Sequence, residues 1–101
     1  MHEINETTIT AFLSKGYSVI TFTSPWCSAC KKVIASHETL TGKWEDRISF
    51  GICDISVNPV LASKFNVLSL PQVIIFSKGT PIRQMKGPLT DAVLKDVLGE
   101  T

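Results

Sequence analysis

Two cysteines stand two residues apart in "SPWCSACKKV", with Trp26 before Cys27 and Lys31 and Lys32 after Cys30. Such a pair can hold a metal, staple the chain or carry electrons. The surrounding pattern decides between them. "YSVITF", 17 to 22, is short and rich in β-branched and aromatic residues, which predicts a strand. Beyond the cysteines the apolar period changes: Cys30, Val33, Ile34, His37, Leu40 and Trp44 fall on one face of a helix that begins at or just after Cys27 and runs to about Gly42. Cys27 therefore sits where a strand ends and a helix starts. The first helical turn has unpaired N–H groups and a partial positive charge, so a thiolate is favoured there. Cys30 lies one turn on, within reach of Cys27 for a small disulfide ring. The first cysteine is then the exposed nucleophile and the second its shielded partner, with Trp26 covering one side.

A metal site fits less well. Structural zinc takes four ligands, often as two spaced pairs, and the remaining candidates, Cys53, His2 and His37, each stand alone. No metal is expected. Three cysteines, an odd number, also argue against a secreted disulfide framework. Cys53 in "FGICDI" faces away from Phe50 and Ile52 by strand alternation and reads as a buried, inert thiol. His37 and Trp44 on the apolar helix face read as packed core side chains, and Lys31 and Lys32 as a solvated face whose charge also favours the thiolate.

The elements that must position the pair alternate. "HEIN" predicts a short edge strand and "ETTITAFLSKG" a short helix ending near Gly16. "RISFGICDI", 47 to 55, is a strand, and "NPVLASKF" a short helix capped by Asn58 with Pro59 at its first position. Residues 73 to 76 and 81 to 86 form a hairpin turning at Lys78-Gly79. Thr90 caps a last helix, Leu89 and Leu94 staple its start, and Gly99 ends it. A strand–helix–strand unit followed by a hairpin implies an α/β fold: a mixed central sheet with helices on both faces.

Composition is consistent with one folded unit. The chain has 101 residues, 44% of them apolar, and a net charge of +1. A near-neutral chain with scattered Lys and Arg argues against nucleic acid or an anionic membrane as main partner. No apolar run approaches the ~20 residues that cross a bilayer. The polar, acid-bearing start "MHEINETTIT" does not read as a signal peptide, so a cytoplasmic location is expected.

Cys-x-x-Cys before a helix in a βαβ setting is a redox signal, and its surroundings sharpen it. "WCSACK" resembles the W-C-x-x-C-K of thioredoxins. "SLPQVIIF" resembles the thioredoxin stretch whose cis-proline faces the cysteines, and "FSKGTPIRQMKGPLT" their final hairpin. The resemblance runs over nearly the whole chain and implies a single thioredoxin-like domain over 1–101. It assigns Cys27 as the attacking cysteine and Cys30 as the resolving one. Pro71 matches the cis-proline, so the Leu70–Pro71 bond would be cis and the Leu70 backbone would pair with an extended substrate segment. Trp26 and Gly87 match the rim of the docking groove, and Asp54 a frequent structural acid.

Three departures bear on tuning. Ser28-Ala29 stands where typical thioredoxins have Gly-Pro, which predicts a potential less reducing than their about −270 mV. Thr21 stands where thioredoxins bury an acid beneath the cysteines, and Ile52 where a lysine partners that acid. Without the acid, Cys30 loses a proton acceptor, which predicts slower release of mixed disulfides.

The expected function is a thiol–disulfide oxidoreductase that needs no cofactor, reduces disulfide-containing proteins and is recycled by a flavin-dependent, thioredoxin-reductase-like donor; a monomer is expected. A glutathione-linked glutaredoxin fits less well, because "QMKGPLTD" lacks the Gly-Gly-Asp type segment that holds glutathione. The rival from another class is a thioredoxin-fold binding module with idle cysteines. A more oxidising exchange protein shares the chemistry with electron flow reversed.

Overall fold

The computed structural model describes residues 1–99; Glu100 and Thr101, which fall within the expected 1–101 domain, lie outside the described residues. The chain runs β1 (His2–Glu3), α1 (Ile9–Leu13), β2 (Tyr17–Thr23), α2 (Ser28–Trp44), β3 (Ile48–Asp54), α3 (Pro59–Lys64), β4 (Gln72–Ser77), β5 (Thr80–Met85) and α4 (Asp91–Val97). The strands form one mixed sheet in the order β1-β3-β2-β4-β5. β3 runs parallel to both β1 and β2, whereas β4 is antiparallel to β2 and β5. This is the thioredoxin fold, with helices on both faces.

Alternation along the central strands builds two cores. Ile20, Phe22, Ile74, Phe76 and Cys53 pack toward α1 and α3. Val19, Phe50, Val73 and Ile75 pack toward α2 and α4, against Val33, Leu40, Trp44, Leu89 and Leu94. The strands β2 and β4 are buried on both faces, which is why they read as near-continuous apolar runs.

Local chemistry explains the element limits. Helix α1 is shorter than the sequence suggests, because Asn5 Oδ1 accepts the Thr7 and Thr8 N–H groups and holds a turn where the helix would begin. Lys78 (φ 50°) and Gly79 (φ 85°) both adopt left-handed conformations, a type I′ hairpin turn. Thr90 Oγ1 accepts from Val93 N–H at 3.2 Å, the expected cap of α4. Asn58 corrects another expectation. It occupies the cap position of α3 but makes no side-chain cap bond; its amide donates instead to the Asp54 carbonyl at 2.9 Å, tying the loop to β3.

Helix α2 continues past Gly42 to Trp44. The indole is 2% exposed, donates from Nε1 to Asp91 Oδ1 at 2.7 Å, and lies under the Arg47 guanidinium. Lys43 pairs with the same carboxylate at 3.0 Å. The Trp44 and Lys43 bonds hold the Asp91 carboxyl below its ordinary range. Burial of Trp44 and its link to α4 outweigh the roughly 1 kcal/mol that a helical glycine costs.

Candidate redox site

β2 ends at Thr23, and after four intervening residues α2 begins at Ser28 with Cys27 as its N-cap. Cys27 is extended (φ −93°, ψ 96°), and its Sγ accepts the Cys30 N–H at 3.1 Å. The cap role usually filled by a Ser, Thr or Asp oxygen is filled here by sulfur. The 17-residue helix α2 points its N-terminus at this sulfur, so N–H groups and dipole both favour negative charge on it.

Cys27 and Cys30 are joined as a disulfide with their Cα atoms 5.3 Å apart. Cys27 is partly exposed and Cys30 is fully buried. The asymmetry follows from the helix: Cys30 begins the inward stripe continued by Val33, His37, Leu40 and Trp44. Trp26, the residue before Cys27, stands 82% exposed, an apolar surface open to solvent. The Leu70–Pro71 peptide bond is cis, as the resemblance implied. Among the described residues no three His, Cys, Asp or Glu side chains converge as metal ligands.

The resemblance sets Thr21 and Ile52 beneath the cysteines. Thr21 is fully buried on β2 and lies beside Ile52 in the β2–β3 register, so the two substituted positions are true neighbours. Thr21 is not alone there. Its Oγ1 lies 2.7 Å from His37 Nδ1, and His37 Nε2 accepts the Leu89 N–H at 3.0 Å. Because Leu89 donates to Nε2, the ring proton sits on Nδ1 and is given to Thr21. Burial pushes the His37 imidazole down to about 4, so it is neutral at pH 7. The two form a neutral, buried Thr–His pair, and it reaches across to the loop just after Gly87 and Pro88. His37 was correctly read as buried, but its link to Thr21 was missed. The available signal was a polar residue at Thr21 in a doubly buried strand and a second one on the apolar face of α2, each needing a partner.

A groove of about 760 Å³ opens beside the cysteine turn, lined by Ser28, Ala29, Lys32, Val33, Pro71, Lys86 and Pro88. The structure thus brings Ser28, Ala29 and Pro71 together in one groove. Gly87 is flanked by two lining residues and has open space where a Cβ would be, so neither crowding nor positive φ demands glycine there. Thr21 lies buried below, while Trp26, Leu70 and Lys31 do not line the groove. Lys86 and Pro88 were not singled out in the sequence. Cys53 is unpaired and buried in the opposite core, and burial, with the Asp54 charge, pushes its thiol up to about 11.

Sheet order, flanking helices and a dithiol turn at the start of a long helix define a class, the thioredoxin-fold proteins. The thioredoxin family profile matches residues 1–100, and the chain belongs to that family. It is 31% identical over 75 residues to a thioredoxin of Staphylococcus saprophyticus, covering 74% of this chain and 72% of that one. It is 30% identical over 86 residues to a Staphylococcus haemolyticus thioredoxin, covering 85% and 83%. Among solved structures, a mutant thioredoxin from Halobacterium salinarum NRC-1 superposes with a TM-score of 0.82 at 22% identity, over 95% of this chain and 85% of that one, a likeness of fold. The Cys-x-x-Cys disulfide in this fold is consistent with thiol–disulfide oxidoreductase activity, and membership points to thioredoxin-type protein partners. Among the described residues no helix is long and apolar enough to cross a membrane.

Proposed function

We propose that the protein reduces protein disulfides through a Cys27–Cys30 dithiol/disulfide couple. The observation that carries this reading is the pairing of a partly exposed Cys27 at the N-cap of α2 with a fully buried Cys30 one turn away. The Cys27 thiolate attacks one sulfur of a substrate disulfide and expels the other as a thiolate, leaving a mixed disulfide. Cys30, having lost its proton to water or a substrate group, attacks Cys27 Sγ, closes the ring and expels the second substrate thiolate. Two electrons pass to the substrate, and its two thiolates take up protons. The backbone of Leu70, beside cis-Pro71, holds the substrate segment extended across the site, and Gly87 and the exposed Trp26 offer it further contact. Lys31 adds positive charge near the sulfur; Ser28, Ala29 and Thr21 tune the couple.

The cycle closes when a flavin-dependent, thioredoxin-reductase-like donor returns two electrons. A reducing compartment such as the cytoplasm suits this direction, and the protein acts as a monomer over a single domain spanning 1–101. The test is transfer of two electrons from the reduced protein to a disulfide-bonded protein, counted as thiols trapped by mass. Cys27→Ser is expected to abolish it, and Cys30→Ser to accumulate a mixed disulfide at Cys27. Full exchange in the double-serine variant would overturn the reading. Turnover with glutathione as sole donor would favour the glutaredoxin alternative.

The neutral Thr–His pair favours one second reading, a binding module whose cysteines idle. It requires partner capture to survive unchanged in the double-serine variant while the wild-type pair exchanges no disulfides.

A further inference from the structure

The groove beside the cysteine turn carries a charge pattern of its own. Its apolar floor comes from Ala29, Val33, Pro71 and Pro88, and its two cations come from separate elements: Lys32 from the second turn of α2, Lys86 from the residue after β5. Both lysines are exposed, and neither has an ion-pair partner among the described residues. Among the described residues no acid lines the groove. The acids of α4 are engaged elsewhere, Asp91 with Lys43 and Asp96 with Arg83. The chain as a whole carries only +1, so the two ammonium groups are a local feature and not part of a generally basic surface. The groove also begins at Ser28 and Ala29, the residues between the two cysteines, so a segment lying in it runs past the cysteine turn.

We propose that this groove selects protein disulfides whose reacting cysteine is flanked by Asp or Glu, with Lys32 and Lys86 receiving the carboxylates and the apolar floor receiving the backbone between them. This rests on the reading that Cys27 exchanges disulfides. Unpaired cations beside a reacting centre raise the local concentration of acidic segments, and the effect fades as salt screens it over a Debye length of about 10 Å at 0.1 M.

The experiment uses three disulfide-linked peptide dimers, identical except for Glu, Gln or Lys on each side of the cysteine. The reduced full-length protein, kept reduced by dithiothreitol, acts on each, and each rate is divided by that for dithiothreitol alone. This removes the effect of the flanking charge on the peptide thiol itself. The expected order is Glu over Gln over Lys, with Glu ahead of Gln by about three- to tenfold at low salt and the gap narrowing at 0.3 M. The K32E/K86E variant is expected to invert the order, while K15E/K64E, with the same change in net charge at remote positions, is expected to keep it. A flat order, an order insensitive to salt, or equal inversion by both double variants would overturn the proposal and leave the exchange reading standing. No acceleration over dithiothreitol alone, with any of the peptides or with a protein disulfide, would overturn the exchange reading itself.

Discussion

The His37 imidazole lies 2.7 Å from the Thr21 hydroxyl, with both side chains fully buried, and it reaches Leu89 N–H through its other nitrogen at 3.0 Å. One side chain therefore ties β2, α2 and the loop ahead of α4 together. In that geometry Nε2 cannot take a proton without losing the Leu89 bond, so the ring holds these elements in place and does not serve as a base.

Stability should depend on this neutral ring. The His37 pKa is about 4 in the folded protein against 6.5 when unfolded. As pH falls the unfolded chain binds this proton first. The contribution is intact above about pH 6.5, is lost progressively as pH falls toward 4, and is flat below that. Its full size is on the order of 3 kcal/mol. Chemical denaturation of the wild type from pH 7 to 4 is expected to show the loss, and His37→Leu to show a shallower slope from a lower starting stability. Equal slopes in the two proteins would remove His37 as the source.

The Thr21→Asp substitution returns an acid to this position. The carboxylate would accept the His37 Nδ1–H, raise the proton affinity of the ring, and offer an acceptor for the Cys30 proton. Release of a preformed mixed disulfide at Cys27, followed in a single turnover at pH 7, is expected to be faster than in wild type. An upward shift of the His37 titration, read by NMR, checks that the acid lies where argued. Unchanged release kinetics would sink the role given to the missing acid.

The Ser28-Ala29 dipeptide occupies the first two positions of α2, where backbone N–H groups lack helical partners. A proline at position 29 therefore removes no intrahelical bond and stiffens the turn. The wild-type potential is expected above the about −270 mV of thioredoxins, and Ser28→Gly with Ala29→Pro is expected to move it downward. Equilibration in thiol buffers of known potential, with thiols counted by mass, measures both. A wild-type value at or below −270 mV would contradict the assignment.

Cys53 should stay silent. It is fully buried, away from the dithiol, and its thiol is held protonated by a pKa pushed up to about 11. Iodoacetamide at pH 8 is expected to label the reduced native protein at Cys27 alone, with Cys53 labelled only after denaturation. Labelling of Cys53 in the native state at a rate near that of Cys27 would show that its core opens.

Much of this protein was legible in its residues because the relevant signals are local. Periodicity marks α2 and the buried strands, Thr90 and Gly99 bracket α4, and Lys78-Gly79 makes the hairpin turn; each depends on a side chain and its near neighbours. The cysteine pair belongs here too, since a cap position and a helical spacing of three set one sulfur outward and the other inward. The limits of α1 and α2 and the role of Asn58 were less legible. An Asn5 turn, a buried Trp44 bound to Asp91, and an Asp54 carbonyl compete with local propensity.

What only the tertiary structure decided are the contacts between residues distant in the chain. Thr21 and His37 are 16 residues apart, and His37 and Leu89 are 52 apart; the packing of α2 on the sheet, and the antiparallel pairing of β2 with β4 and of β4 with β5, bring them together. Lys32 and Lys86 share a groove for the same reason. Sequence spacing carries the geometry of a single helix or strand, but the identity of a buried polar partner, or of two cations across a groove, depends on how separate elements dock, and docking is set by the cores on both faces of the sheet.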